Sequence, residues 1–130
     1  MKLRIALAGL CAAVIAAVGA PAPAQAGPND NSAAGIVGVA SVPAGYYCSE
    51  GHFCLWTGSY WSGRQYQLYY CRTYSLTQWN GVGSWWNHNT GGARGYILDR
   101  NRRVLVSAAA GTSNPAYNFK PAWFVTPCKS

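Results

Sequence analysis

Few side chains in this chain are equipped for acid–base or metal chemistry, and their spacing excludes most of it. In the aromatic-rich part of the sequence the carboxylates are Glu50 and Asp99, and the imidazoles are His52 and His88. A glycosidase needs two opposed carboxylates across the scissile bond, so Glu50 and Asp99 would have to serve together. A serine triad needs serine, histidine and acid in line, which would recruit His52 or His88 with Asp99. No G-x-S-x-G elbow presents such a serine. Zinc chemistry fares no better, because there is no C-x2-C pair and only the two histidines are there to join the thiols. The expectation is a protein that is not an enzyme, with no catalytic residue, no metal and no cofactor. Both histidines fall on loop-like segments, where a solvated surface histidine is the common case. What remains is recognition, and the residues singled out for a binding surface are Glu50, His52, Arg72, Tyr74, Trp85 and Trp86.

The ends of the chain set the compartment. Lys2 and Arg4 precede an apolar, alanine-rich run from Ile5 to Val18, and Ala24-Gln25-Ala26 is a small-x-small cleavage site. Residues 1–26 are therefore expected to be a cleaved signal peptide. The apolar run is shorter than the ~20 residues a spanning helix needs, and a secreted, extracellular protein without a transmembrane segment is expected. Cys48, Cys54, Cys71 and Cys128 follow the cleavage site. An even count in a short exported chain reads as two disulfides, with three possible pairings. The formal net charge is +7, with ten Lys and Arg against three acids. Such a balance draws anionic partners, among them wall polymers and acidic protein surfaces, although no basic run exceeds Arg102-Arg103.

The elements that must position these residues are strands. Residues 27–45 hold no aromatic and read as a flexible leader, within which Ile36-Val37-Gly38-Val39 is able to add an edge strand. Every aromatic lies between Tyr46 and Phe124, which places one domain at 46–130. Short runs of β-branched and aromatic residues alternate there with Gly, Asn, Ser and Pro. Strands are expected at Phe53–Thr57, Arg64–Cys71 and Gly83–Asn87. A hairpin is expected from Tyr96–Leu98 and Val104–Val106 around Asp99–Arg102, and a last strand at Ala122–Thr126. Ser107–Pro121 reads as mostly loop. In the second strand Tyr66, Leu68 and Tyr70 share one face. With no helical period beyond one or two turns, the class is all-β.

Trp56-x4-Trp61-x-Gly63 is the most specific pattern in the chain. The spacing resembles the opening of a βγ-crystallin Greek key, in which the second aromatic packs at the corner of a folded hairpin and the glycine takes a conformation that a side chain forbids. Ahead of it stands Cys48-x5-Cys54, and behind it Ser62-Gly63-Arg64. Over about residues 46–90 the chain is similar to the secreted actinobacterial metalloproteinase-inhibitor family, which has a βγ-crystallin-like fold. After Tyr96 the aromatic pattern fails, with Asn101 and Arg103 in the aromatic and glycine places.

The resemblance implies a disulfide-stapled Greek key sandwich with Cys48 paired to Cys54, leaving Cys71 for Cys128. It makes Trp56, Trp61, Gly63 and Ser84 the fold motif. The crystallin calcium pattern is met by Asn80 and Ser84, but Trp79 and Gly83 remove two of its oxygens, and hard cations need six to eight. Non-catalytic binding to a secreted protease, a thermolysin-like metalloprotease above all, is the implied function. The family's short C-x4-C reactive loop is absent here, so the contact candidates are Ser49–Phe53 and Cys71–Tyr74. The alternative is a non-catalytic module, toxin-like or wall-binding, that displays aromatics to cell-wall polysaccharide. Tyr46-Tyr47, Tyr69-Tyr70 and Trp85-Trp86 are adjacent pairs, and on a strand one member of each faces outward. Trp56, Trp61, Tyr66 and Trp123 are expected in the core. A monomer without sequence-specific nucleic-acid binding is expected, since no aromatic/basic RNA-binding motif is present.

Overall fold

The computed structural model describes residues 30–129, so the signal-peptide expectation for 1–26 lies outside the described residues. The sheet built around the sequence motif has His52–Trp56 (β3) at its centre. Arg64–Leu68 (β4) runs antiparallel on one side, with Leu55 opposite Tyr66 and Phe53 opposite Leu68. Val82–His88 (β6) runs on the other side, with Leu55 opposite Trp85 and Cys54 opposite Trp86. Because strand side chains alternate faces, this register sends Phe53, Leu55, Tyr66, Leu68 and Trp85 inward. Cys54, Trp56, Gln65 and Trp86 go to the outer face.

Val42–Pro43 (β2) edges β4, and Ser113–Asn118 (β9) edges β6, giving the order β2-β4-β3-β6-β9. The second sheet takes Gly35–Ile36 (β1), Tyr74–Thr77 (β5), Phe124–Lys129 (β10), Arg94–Leu98 (β7) and Val104–Ala108 (β8), in the order β1-β5-β10-β7-β8. All pairings are antiparallel, and the chain passes repeatedly between the two sheets. Between them lies one core, in which Phe53, Leu55, Trp85, Ile97, Phe119 and Val125 are buried. Disulfides join Cys48 to Cys54 and Cys71 to Cys128. The fold is all-β, a disulfide-stapled sandwich of two antiparallel sheets.

Several sequence expectations need correction. Residues 31–43 are built into both sheets instead of leading up to them, and the edge strand expected near Ile36–Val39 forms at Gly35–Ile36. Asn31 is buried, receives the Gly81 N–H on its Oδ1 at 2.7 Å and donates to the Thr57 carbonyl at 3.2 Å. The Ala34 carbonyl accepts from Arg64 and from the Tyr66 hydroxyl, and the Gly35 carbonyl accepts from Trp79 Nε1. The second strand stops at Leu68, so Tyr70 does not share the face of Tyr66 and Leu68 and stands exposed. Ser107–Pro121 is not mostly loop, because β9 runs through it. Pro115 disguises that strand, yet β9 is an edge, where a missing N–H leaves no ladder bond unmade. The Pro115 carbonyl accepts the Tyr60 N–H at 2.6 Å. Trp123, expected in the core, is 48 % exposed, and Trp79 fills the core instead.

The β7–β8 hairpin forms as expected, and its turn carries a pH dependence. Asp99 Oδ1 accepts the N–H groups of Arg103 and Asn101, each at 2.8 Å, and Arg103 Nε lies 3.3 Å from Oδ2. The Arg103 N–H, followed by that of Asn101 and the Arg103 charge, holds the Asp99 carboxyl below its ordinary value. A depressed folded pKa means the contribution is present above about pH 4 and is lost as pH falls through the lower folded value. The carboxylate is at the surface, so the effect is local. An acid titration followed by amide NMR should show Asn101 and Arg103 shifting together with a midpoint below that of a free aspartate. Independent or ordinary midpoints would contradict the turn geometry.

Candidate functional site

The outer face of the β3-centred sheet is covered by its own preceding loop. Residues 45–51 fold back over β3, β4 and β6, and the sheet holds them through one backbone group after another. Trp56 Nε1 donates to the Gly45 carbonyl at 3.1 Å, and Gln65 Nε2 donates to the Tyr47 carbonyl. The His88 ring Nδ1 lies 2.6 Å from the Cys48 carbonyl, and Ser49 N–H reaches Gln67 Oε1 at 3.4 Å. His52 Nδ1 lies 3.0 Å from the Glu50 carbonyl, and Gly51 N–H donates to the His88 carbonyl at 2.8 Å. A carbonyl only accepts, so both histidines carry the proton on Nδ1 in these bonds. The Cys48–Cys54 bridge, with Cα atoms 5.9 Å apart, closes the loop against β3.

Beneath the loop is a second apolar cluster of Cys48, Cys54 and Trp56, flanked by half-buried Trp61 and Trp86. The Trp56 and Trp61 rings meet edge-on at 5.0 Å. Trp61 is held there by the corner that precedes Gly63: its N–H donates to Ser84 Oγ at 3.1 Å, and Ser84 Oγ donates to the Gly58 carbonyl at 2.8 Å. Gly63 itself has φ +81°. Above the cluster Tyr46 is 72 % exposed and contacts Trp61 and Trp86 at 5.8 and 6.1 Å. Trp86 stacks on His88 at 4.8 Å, and His52, opposite His88 in the ladder, lies 5.2 Å from exposed Tyr69. The product is a fixed backbone segment whose side chains, Tyr46, Tyr47 and Glu50, stand in solvent beside a strip of aromatic rings.

That geometry suits recognition. Asp99 is on the other sheet, bonded to its own hairpin, and no group of three or more His, Cys, Asp or Glu side chains gathers among the described residues. One comparison with known proteins bears on this part of the chain.

Residues 42–97 match the model of peptidase inhibitor family I36.

No curated protein and no solved structure matches the chain. The match to the I36 family covers a segment of the chain that runs from β2 to β7, and so includes the braced loop, the Trp56–Gly63 corner and β6. It is the resemblance carried by the cysteine loop and the aromatic spacing, it supports a protease-inhibitor role, and it points away from an enzyme.

Within the I36 segment the six surface candidates separate. Glu50, His52 and Trp86 come together at the braced loop. Trp85 does not join them: it is 6 % exposed, stacks on Phe53 at 5.8 Å, and its Nε1 is buried without a partner among the described residues. Tyr74 is 5 % exposed and belongs to the core. Arg72 is exposed, but on the far side of the Cys71–Cys128 bridge beside the second sheet. Sequence reasoning passed over Gln65, Gln67 and His88 as loop anchors. Their signal was the outward-facing Gln65/Gln67 pair on a strand next to a cysteine loop. Tyr46 and Tyr47 are both exposed because they lie on the loop and not on a strand, so the one-in, one-out expectation for the pair does not apply.

Proposed function

We propose that this protein is an exported inhibitor that blocks a secreted metalloprotease of the thermolysin-like kind by non-catalytic binding, with residues 45–51 as the contact segment. The observation that carries this is the bracing of that loop. A disulfide and six side-chain or backbone hydrogen bonds hold six of its seven residues by their backbone while the Tyr46, Tyr47 and Glu50 side chains stand free. A segment already held in one conformation loses little ordering entropy on entering a protease cleft. From Cys48 onward the disulfide keeps both sides of a cut bond attached, which slows release. The two exposed tyrosines supply large contact area at low rotamer cost. Cys71 and Cys128 are bridged to each other across 57 positions, so no short second cysteine loop competes for the role.

The test is a titration of the oxidised protein into a thermolysin-like metalloprotease. Residual activity should fall linearly to a one-to-one equivalence point, and the Tyr46→Ala/Tyr47→Ala variant should leave most activity intact at the same ratio. Full activity at large excess, with the protein uncut, would leave the second reading. There the Tyr46, Trp61 and Trp86 rings would stack on wall polysaccharide, and co-sedimentation with insoluble glycan would fall in Trp86→Ala.

A further inference from the structure

The second sheet carries a different kind of surface. Thr126 faces Tyr96 across β10 and β7, and Leu98 faces Val104 across β7 and β8. Their strand neighbours Val125 and Ile97 are in the core, so these four side chains form the floor of an outward groove. The groove has a volume of about 400 Å³ and ends at the Cys71–Cys128 bridge. Its rim is Arg72, Arg102 and Lys129, and no carboxylate lines it among the described residues. Each guanidinium carbon lies over an aromatic ring: Arg72 over Tyr74 and Arg102 over Phe124, both at 4.6 Å from the centroid. None of the three cations forms an ion pair or donates a side-chain hydrogen bond among the described residues. A guanidinium seated over a ring is held in place there and keeps N–H groups for a ligand. The Thr73 and Thr126 hydroxyls, hydrogen-bonded to each other at 3.0 Å, leave one neutral donor at the same place.

Arg102 reaches the rim from an uncommon backbone. Its φ is +62°, at the turn position of the β7–β8 hairpin where glycine or asparagine is the usual occupant. A side chain kept in that conformation, with its charge unpaired over a groove, is the kind of local strain that marks a working site.

We propose that this groove binds a polyvalent phosphate, a condensed or repeating phosphate chain, with Arg72, Arg102 and Lys129 as its charge contacts. Three converging cations without an acid favour an anion of several charges over a single carboxylate, and the planar forks of two arginines match phosphate oxygens in pairs. The site is separate from the braced loop, and both Arg102 and Lys129 lie outside the segment that matches the inhibitor family.

The experiment is calorimetric titration of inorganic tripolyphosphate into the oxidised protein at one fixed ionic strength, since exposed charges are screened by salt. The parent should bind saturably. Arg102→Gly should weaken binding by about tenfold, while its melting temperature stays level or rises because glycine takes the turn conformation without strain. Arg100→Ala removes the same charge from the same hairpin but does not line the groove, and should stay within about twofold of the parent. No saturable binding by the parent, or equal weakening by Arg100→Ala and Arg102→Gly, would overturn the proposal and leave only diffuse attraction to a basic surface.

Discussion

Gly63→Val is expected to lower the stability of the protein by about 2–5 kcal/mol, the left-handed backbone and a displaced hydrogen bond each accounting for a share. Gly63 holds φ +81°, a region that costs side-chain-bearing residues about 1–2 kcal/mol and β-branched ones the most. A Cβ there would also overlap Thr57 Oγ1 and stand 3.0 Å from the Gly58 nitrogen. Thr57 Oγ1 has no room to withdraw without releasing the Arg64 N–H that it accepts at 2.9 Å, and that loss costs about 1–3 kcal/mol. The damage would not stop at the turn. The same corner sets Trp61 over Trp56 and aligns the Gly58 carbonyl with Ser84. At roughly 4–8 °C per kcal/mol for a domain near 100 residues, the melting temperature by circular dichroism should fall by about 10 °C or more. A variant melting with the parent would mean that residue 63 does not occupy this corner.

The same corner shows why part of the molecule was legible in the sequence. Trp56, Trp61, Gly63 and Ser84 are fixed by local demands: an aromatic on a strand, an aromatic at a fold, a backbone only glycine adopts easily, and a small hydroxyl that closes it. Each demand leaves a residue type at a set spacing. The β7–β8 hairpin was legible for the same reason, through Asp99 and the turn residues after it. Residues 31–43 were not, because what ties them down is supplied by Arg64, Tyr66 and Trp79, about thirty or more positions away. Nothing in Asn-Ser-Ala-Ala-Gly announces those partners. Trp85 and Trp86 make the point more sharply. An adjacent pair on a strand must split between faces, but which one turns inward depends on the pairing of β6 with β3. Leu55 opposite Trp85 puts Trp85 in the core, and local sequence holds no record of that register. The braced loop was half visible. Cys48 and Cys54 marked its ends, while its anchors Gln65, Gln67 and His88 read as ordinary polar residues. Of the proposed phosphate groove only Arg72 stood out in the sequence, since Arg102 and Lys129 are brought to it by the second sheet.

Because the loop's rigidity is what makes the inhibitor reading physical, opening its disulfide should have the largest functional effect. Cys48→Ala/Cys54→Ala is expected to weaken protease inhibition by about thirtyfold. Closing so short a loop contributes about 2 kcal/mol by restricting the unconstrained chain, and if the contact segment must be ordered on binding, that free energy reappears in the affinity at a factor of ten per 1.4 kcal/mol. The remaining hydrogen bonds would hold the loop part of the time, so inhibition should persist at high concentration but with slow cleavage between residues 45 and 51, visible by mass spectrometry. The control is Cys71→Ala/Cys128→Ala. That bridge spans 57 positions and contributes more to stability, about 4 kcal/mol on the same estimate, yet none of the loop's anchoring bonds passes through it. Assayed well below its lowered melting temperature, this variant should inhibit like the parent. Loss of inhibition in proportion to stability in both variants would show that the protease senses the whole fold and not the braced segment. Loss confined to Cys48→Ala/Cys54→Ala would place the contact at residues 45–51.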